Sequence, residues 1–192
     1  MRVVNARPNA LAVAALKLRP TDAVLELGCG PGDAIYMIAK QVRRGTIHAI
    51  DPSAAMLAQV RARNRRACGA GRVCLYRAKV EELPFASGTM DKILAVNVAY
   101  FWRDPTAALR EIRRVLRPAG ILSIYVTDAS AMRHWPIASA ETHHLFDRAE
   151  LERALRDSGF RDETVSIATV CITRRIAGLI ATATLNPEVS RN

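Results

Sequence analysis

The chain has 192 residues, the length of a single domain, and half of them are hydrophobic while only 5% are aromatic. Its core must therefore be built mainly from aliphatic side chains and alanine. Lys and Arg number 28 against 18 acidic residues, a formal charge of +10. That charge admits nucleic acid, an anionic membrane surface or an acidic substrate as partners.

In chain order, the spacing of Leu11, Ala14, Ala15 and Leu18 predicts a helix over 9–18, ended by Arg19-Pro20. A buried strand over 23–27 runs into a glycine-rich turn, and a helix over 33–41 follows. A second strand covers 46–50, and a helix over 53–66 starts at Ser53 as N-cap. Strands over 73–77 and 91–96 come next. A helix over 104–116 carries Asp104 at its cap and Pro105 in its first turn. Pro118-Ala119-Gly120 reads as a turn before a fifth strand over 121–126. A helix over 147–158 is stopped by Gly159. Two closing strands, 163–168 and 170–176, read as an antiparallel edge hairpin. The domain is drawn over 1–183, with 184–192 as a disordered tail. Alternating strands and helices imply a doubly wound α/β fold, with a mostly parallel seven-stranded sheet and helices on both faces.

Cys29, Cys68, Cys74 and Cys171 form no C-x-x-C pair, so neither a zinc site nor a redox dithiol is indicated. Free thiols suit a reducing cytoplasm. The N-terminus lacks a signal-peptide pattern. The most apolar stretch, 165–185, is broken by Arg174 and Arg175, so no membrane span is expected. Two arginine-rich runs, 61–66 and 110–117, fall on predicted helices without interleaved aromatic residues. Nucleic acid therefore remains a possible partner but not the favoured one.

The turn Gly28-x-Gly30-x-Gly32 follows Val24-Leu-Glu26-Leu. Glycine lets a ligand lie against bare backbone, and the following helix points free N–H groups at it. The dinucleotide fingerprint G-x-G-x-x-G would need its third glycine at position 33, where this chain has Asp33. Asp51 ends the second strand, 19 positions after Gly32, where a neighbouring parallel strand opens on the same crevice. One carboxylate there offers two acceptors to a vicinal diol.

The pattern E-x-G-x-G-x-G, together with Asp51-Pro-Ser-Ala-Ala-Met56, the segment Ala78-Lys79-Val80-Glu81-Glu82-Leu83-Pro84-Phe85 and the run from Asp104-Pro to Arg117-Pro-Ala-Gly120, resembles the class I S-adenosylmethionine-dependent methyltransferases of the small-molecule type. The resemblance covers about 9–176. It implies a Rossmann-like fold and S-adenosylmethionine as cofactor, held by Glu26, Gly28, Cys29, Gly30, Gly32, Asp51, Pro52, Met56, Lys79, Val80 and Asn97. In that family an acid at the Asp51 position binds both ribose hydroxyls. The family's usual adenine-binding Asp falls on Lys79, which has no acceptor; the adenine is then left to backbone at Lys79 and Val80 and to apolar packing. Asn97-x-x-Tyr100 resembles the N-P-P-Y motif of amino-group methylases without its prolines, so that reaction is discounted.

Methyl transfer is an in-line displacement at a sulfonium methyl, and the protein's share is binding and orientation. No residue announces itself as a general base. Tyr100, Trp102, His134 and Trp135 are the candidate substrate contacts, with His143 and His144 also near the mouth. The long connection 127–146 is expected to form the substrate pocket. Glu141, His143 and His144 do not make a metal site without a fourth ligand, so no metal is expected. The leading expectation is a cytoplasmic enzyme, monomer or homodimer, that methylates a small organic molecule. The alternatives are an enzyme acting on RNA or protein through the basic surface, and a non-catalytic cofactor- or partner-binding domain. A nicotinamide dehydrogenase is more distant, because Gly32 and Asp33 break its fingerprint.

Overall fold

The computed structural model describes residues 2–133, 144–173 and 176–186. Short, mostly apolar segments form the central strands because parallel strands are covered on both faces. These are β1 (Ala23–Leu27), β2 (Thr46–Ile50), β3 (Val73–Tyr76), β4 (Met90–Val96) and β5 (Leu116–Thr127). Two antiparallel strands, β6 (Val165–Thr173) and β7 (Ile176–Thr184), complete a seven-stranded sheet in the order β3-β2-β1-β4-β5-β7-β6. The helices are α1 (Arg2–Ala15), α2 (Asp33–Gln41), α3 (Ala54–Arg63), α4 (Arg65–Gly69), α5 (Pro105–Val115), α6 (Ala129–Met132) and α7 (Arg148–Asp157).

Side-chain alternation along each strand divides the core in two. Val24 and Leu94 pack with Ala12 of α1, with Leu16 just after it, and with Ile35 and Ile38 of α2. Leu25, Leu27, Ile93 and Ala95 pack with Leu109 and Ile112 of α5 and with Leu151 and Leu155 of α7. Burying each such side chain contributes about 1.5–3 kcal/mol. The expected three-layer arrangement, with helices on both faces, is present. Among the described residues no helix is long and apolar enough to cross a membrane.

The caps are set by short polar side chains. Ser53 Oγ accepts the Met56 N–H, and Asp104 accepts the Ala107 N–H at 2.9 Å, with Pro105 opening α5. Asp147 and Glu150 form a reciprocal capping box at the start of α7.

Several boundaries differ from the sequence reading. α1 begins at Arg2 and contains Pro8; tertiary packing of Ala12, Val13 and Leu16 sustains it across the lost hydrogen bond. The predicted helix over 53–66 divides at Asn64, whose Nδ2 donates to the Val60 carbonyl at 3.1 Å and to the Gly32 carbonyl at 3.3 Å. That side chain competes with the helix for its own backbone. The closing hairpin lies later than predicted, in β6 and β7. Gly178 of β7 pairs with Thr127, and a Cβ there would stand 2.3 Å from the Tyr125 hydroxyl. β7 runs through Thr184, and Leu185 exchanges backbone hydrogen bonds with Ala119 and Gly120. The chain is thus paired past residue 183, where the sequence reading closes the domain.

Candidate functional site

β1 lies between β2 and β4, and the chain leaves β1 on one side for β2 and returns on the other as β4. That reversal opens a crevice beyond the C-terminal ends of the strands, the usual ligand position of such sheets. The glycine turn fills its floor. Gly28, Gly30 and Gly32 have φ of 59°, 48° and 81°. A Cβ at Gly28 would meet Val98 Cγ2 at 2.1 Å, so this glycine lets the turn pack on the loop after β4. A Cβ at Gly30 would meet nothing within 4 Å, so the backbone there faces open space.

Asp51, at the end of β2, is buried and tied to the turn. Its Oδ2 accepts the Gly30 N–H at 3.0 Å and its Oδ1 accepts the Ser53 N–H at 2.9 Å. Each oxygen keeps a further lone pair, so the carboxylate can still accept two hydroxyls. The Cys29 N–H reaches the Ile50 carbonyl at 3.0 Å and closes the same junction.

Glu26 is buried in β1 beneath the turn. Its Oε2 has no hydrogen-bond partner among the described residues. Burial, with Asp33 and Asp51 nearby, raises its carboxyl to about 8, against the pull of the Ile35 N–H. Burial, with the Glu26 and Asp51 carboxylates nearby, pushes the Cys29 thiol well up, so Cys29 is no nucleophile.

The second wall comes from β4 and β5. Asn97 holds a left-handed φ of 52°, and its N–H donates to the Tyr125 carbonyl at 2.9 Å. Its Nδ2 donates to Asn5 Oδ1 of α1 at 2.8 Å. Its Oδ1 accepts the Tyr100 hydroxyl at 2.8 Å and the Thr127 hydroxyl at 3.3 Å. The Thr127 N–H donates in turn to the Tyr100 oxygen. The Asn97 side-chain amide and backbone N–H are thus committed within the protein, which leaves its backbone carbonyl for a ligand.

The adenine end is looser. Lys79 is exposed, and its carbonyl accepts the Glu82 N–H at 3.3 Å, while Val80 is buried in the core. Met56 is half-buried on the first turn of α3. Arg77, not singled out by sequence, donates from Nε to the Pro52 carbonyl at 3.1 Å and joins the loops after β2 and β3.

Two of the candidate substrate contacts are corrected. Tyr100 and Trp102 are both 5% exposed and belong to the core; the exposed aromatic of that segment is Phe101. Burial raises the Tyr100 phenol far above its usual value, so it does not serve as a base. His144 gives its N–H to the Tyr100 carbonyl at 2.9 Å and its ring packs 4.7 Å from that of Phe146. His134, Trp135, Glu141 and His143 lie outside the described residues. Asn5 and Thr127 were missed in the sequence. Thr127 could have been found as the terminal residue of a central strand, whereas nothing local marks Asn5.

The profile of the methyltransferase-domain family matches residues 24–120, about half the chain. The chain is 34% identical over 164 residues to an uncharacterized 37.1 kDa protein in transposon Tn4556 of Streptomyces fradiae, covering 79% of this chain and 47% of that protein. It is 33% identical over 144 residues to the O-methyltransferase resE of Aspergillus sclerotiorum, covering 72% of this chain and 54% of the relative. The aligned part is thus about half the length of either. Among solved structures, a Haloferax volcanii complex of the Trm112 methyltransferase activator with a methyltransferase superposes with a TM-score of 0.84 at 19% identity, covering 97% of this chain and 93% of that one.

Proposed function

Because this chain belongs to the class I S-adenosylmethionine-dependent methyltransferases, we propose that it transfers the sulfonium methyl of S-adenosylmethionine to a small organic acceptor. The observation that carries the cofactor site is the Asp51 carboxylate, hydrogen-bonded to Gly30 where the turn faces open space. Asp51 takes the ribose hydroxyls. The turn passes beneath the amino-acid end, and the uncapped N–H groups of α2 face its carboxylate. The unpartnered Glu26 oxygen suits the ammonium. Val80, Met56 and the backbone at Lys79 enclose the adenine. The bound cofactor supplies the electrophilic methyl, so the protein's work is alignment and exclusion of water.

A small acceptor fits the position of the basic residues. The groove rich in arginine lies between α2 and α4 and includes no residue of the Asn97, Tyr100 and Thr127 wall. The likeness to an O-methyltransferase supports the same reading. The hydrogen-bonded group of Asn5, Asn97, Tyr100 and Thr127 fixes the loop after β4, which borders the methyl.

The test is thermal shift with S-adenosylhomocysteine and with NAD. The first should raise Tm, by about 2.7 kcal/mol of stabilisation at a hundredfold excess over Kd, and NAD should not. Asp51→Ala should abolish the shift at that concentration. An unchanged shift in Asp51→Ala refutes the ribose assignment. Transfer of labelled methyl to an RNA or protein fraction, and to no small nucleophile, refutes the small-acceptor reading.

A further inference from the structure

A cavity of about 370 Å³ opens between α2 and the α3–α4 junction, outside the cofactor crevice and within the size range of small-ligand sites. Its lining includes Tyr36, Lys40, Arg63, Arg65, Arg66 and Arg72. Two of these cations are already engaged. Arg63 pairs with Asp33, and Arg72 donates to the Ala39 and Val42 carbonyls at 3.3 and 3.1 Å, closing the end of α2. Lys40 Nζ stands 4.3 Å from the Tyr36 ring centre and the Arg63 guanidinium carbon 5.8 Å from it, so a base stacking there takes the place of one of these cations. Among the described residues no carboxylate pairs with Lys40, Arg65 or Arg66. Tyr36 is 44% exposed.

A half-exposed aromatic ring beside unneutralised guanidinium groups matches one ligand chemistry, a flat base joined to a phosphate. We propose that this groove is a second binding site, distinct from the cofactor crevice, that takes a nucleoside phosphate. The base stacks on Tyr36 and the phosphate is held by Arg65 and Arg66. An acidic peptide would meet the same charge but offers no ring to the tyrosine. The floor residue Asn64 donates to the Gly32 carbonyl of the cofactor turn, so the two sites share a wall.

The probe is a short fluorescein-labelled oligouridylate read by fluorescence anisotropy, with uridine monophosphate and polyglutamate as competitors. Arg65→Glu combined with Arg66→Glu should weaken binding about tenfold or more. It should also flatten the dependence of log K on log salt by about 0.7 per lost phosphate contact. Tyr36→Ala should weaken binding about fivefold or more, and Tyr36→Phe should restore it. The charge-matched control, Arg153→Glu with Arg161→Glu on exposed positions elsewhere, should bind nearly as the wild type does. All variants should keep the S-adenosylhomocysteine shift, which separates this site from the cofactor site and from misfolding. Displacement of the probe by uridine monophosphate identifies free nucleotides as the ligand; binding of the strand alone identifies a nucleic-acid segment; either upholds the site. Equal losses in groove and control variants, displacement by polyglutamate as effective as by nucleotide, or no binding of either probe overturns it.

Discussion

Replacing Glu26 by Gln should stabilise the protein at alkaline pH while weakening its hold on the cofactor. The Glu26 carboxyl stands at about 8 in the folded chain against 4.5 for the free group. Between those values the folded state keeps a proton that the unfolded state releases. The native state therefore gains nothing below pH 4.5 and loses stability steadily up to pH 8, at about 1.4 kcal/mol per pH unit. The whole displacement of 3.5 units (8 minus 4.5) corresponds to about 5 kcal/mol, an upper bound because buried sites relax. Taking half of it, Glu26→Gln should gain about 2 kcal/mol relative to wild type between pH 5 and pH 8. For a chain of this size that is about 4–8 °C in Tm. Glutamine retains an oxygen for the Ile35 N–H, so the fold is not expected to change. Cofactor binding should move oppositely. The ammonium favours the ionised carboxylate, so wild-type affinity for S-adenosylhomocysteine should rise with pH up to about 8. In the variant it should be weaker by about 10–100-fold and lack that rise. Thermal melts and calorimetric titrations at pH 5, 6.5 and 8 measure both effects. Melting profiles that run parallel across pH, or unchanged affinity, would refute the assignment of Glu26 as a buried, ligand-charged acid.

Three further substitutions probe the crevice and the sheet. Lys79→Asp places a carboxylate where lysine has no acceptor and should tighten S-adenosylhomocysteine binding by up to about tenfold, measured by calorimetry; weaker binding counts against placing adenine at this loop. Tyr100→Phe removes the oxygen that accepts the Thr127 N–H and the donor to Asn97, and should cost about 1–3 kcal/mol in urea melts. Once an acceptor is known it should lower kcat more than it changes cofactor Kd if, as proposed, the loop after β4 borders the methyl. Gly178→Ala should cost about 1–3 kcal/mol, since its Cβ would meet the Tyr125 ring carbons and hydroxyl, and Tyr125→Phe should recover little of that loss because the ring carbons remain, each 2.5 Å away. Tyr125→Phe alone should be neutral or stabilising, because its buried hydroxyl is unpartnered among the described residues. A fully stable Gly178→Ala chain means that β7 is not seated on Tyr125 as described.

The elements legible in the sequence are those fixed by local chemistry. β1 and β2 have the expected bounds because five-residue, mostly apolar segments between turns have few other solutions. The caps at Ser53, Asp104 and Asp147 were equally readable. What was misplaced depends on distant partners. β7, with its alanines and Gly178, has weak strand propensity and forms because β5 and β6 flank it and Tyr125 leaves no room for a Cβ. Asn64 ends α3 by reaching a carbonyl 32 positions earlier, which no local pattern records. Asn5 joins the site only because α1 packs over the end of β4. Tyr100 and Trp102 looked like mouth residues because aromatics after a central strand often are, yet the apolar layer under α5 claims both.

The electrostatics of the turn add a selection that the glycine spacing alone lacks. A pyrophosphate would have to settle among Glu26, Asp33 and Asp51, of which, among the described residues, only Asp33 has an arginine partner. Ionising those acids beside a dianion is costly in a buried site. A cofactor with an ammonium and a sulfonium reverses the sign of that interaction and restores Glu26 to its charged form. Only the carboxylate end of such a cofactor needs the uncapped start of α2. The shift of one glycine from the dinucleotide pattern and the acid in β1 are therefore two parts of one discrimination. On the proposed reading, the first lets the backbone approach a single chain of atoms, and the second offers an acid that an ammonium can ionise and a phosphate cannot.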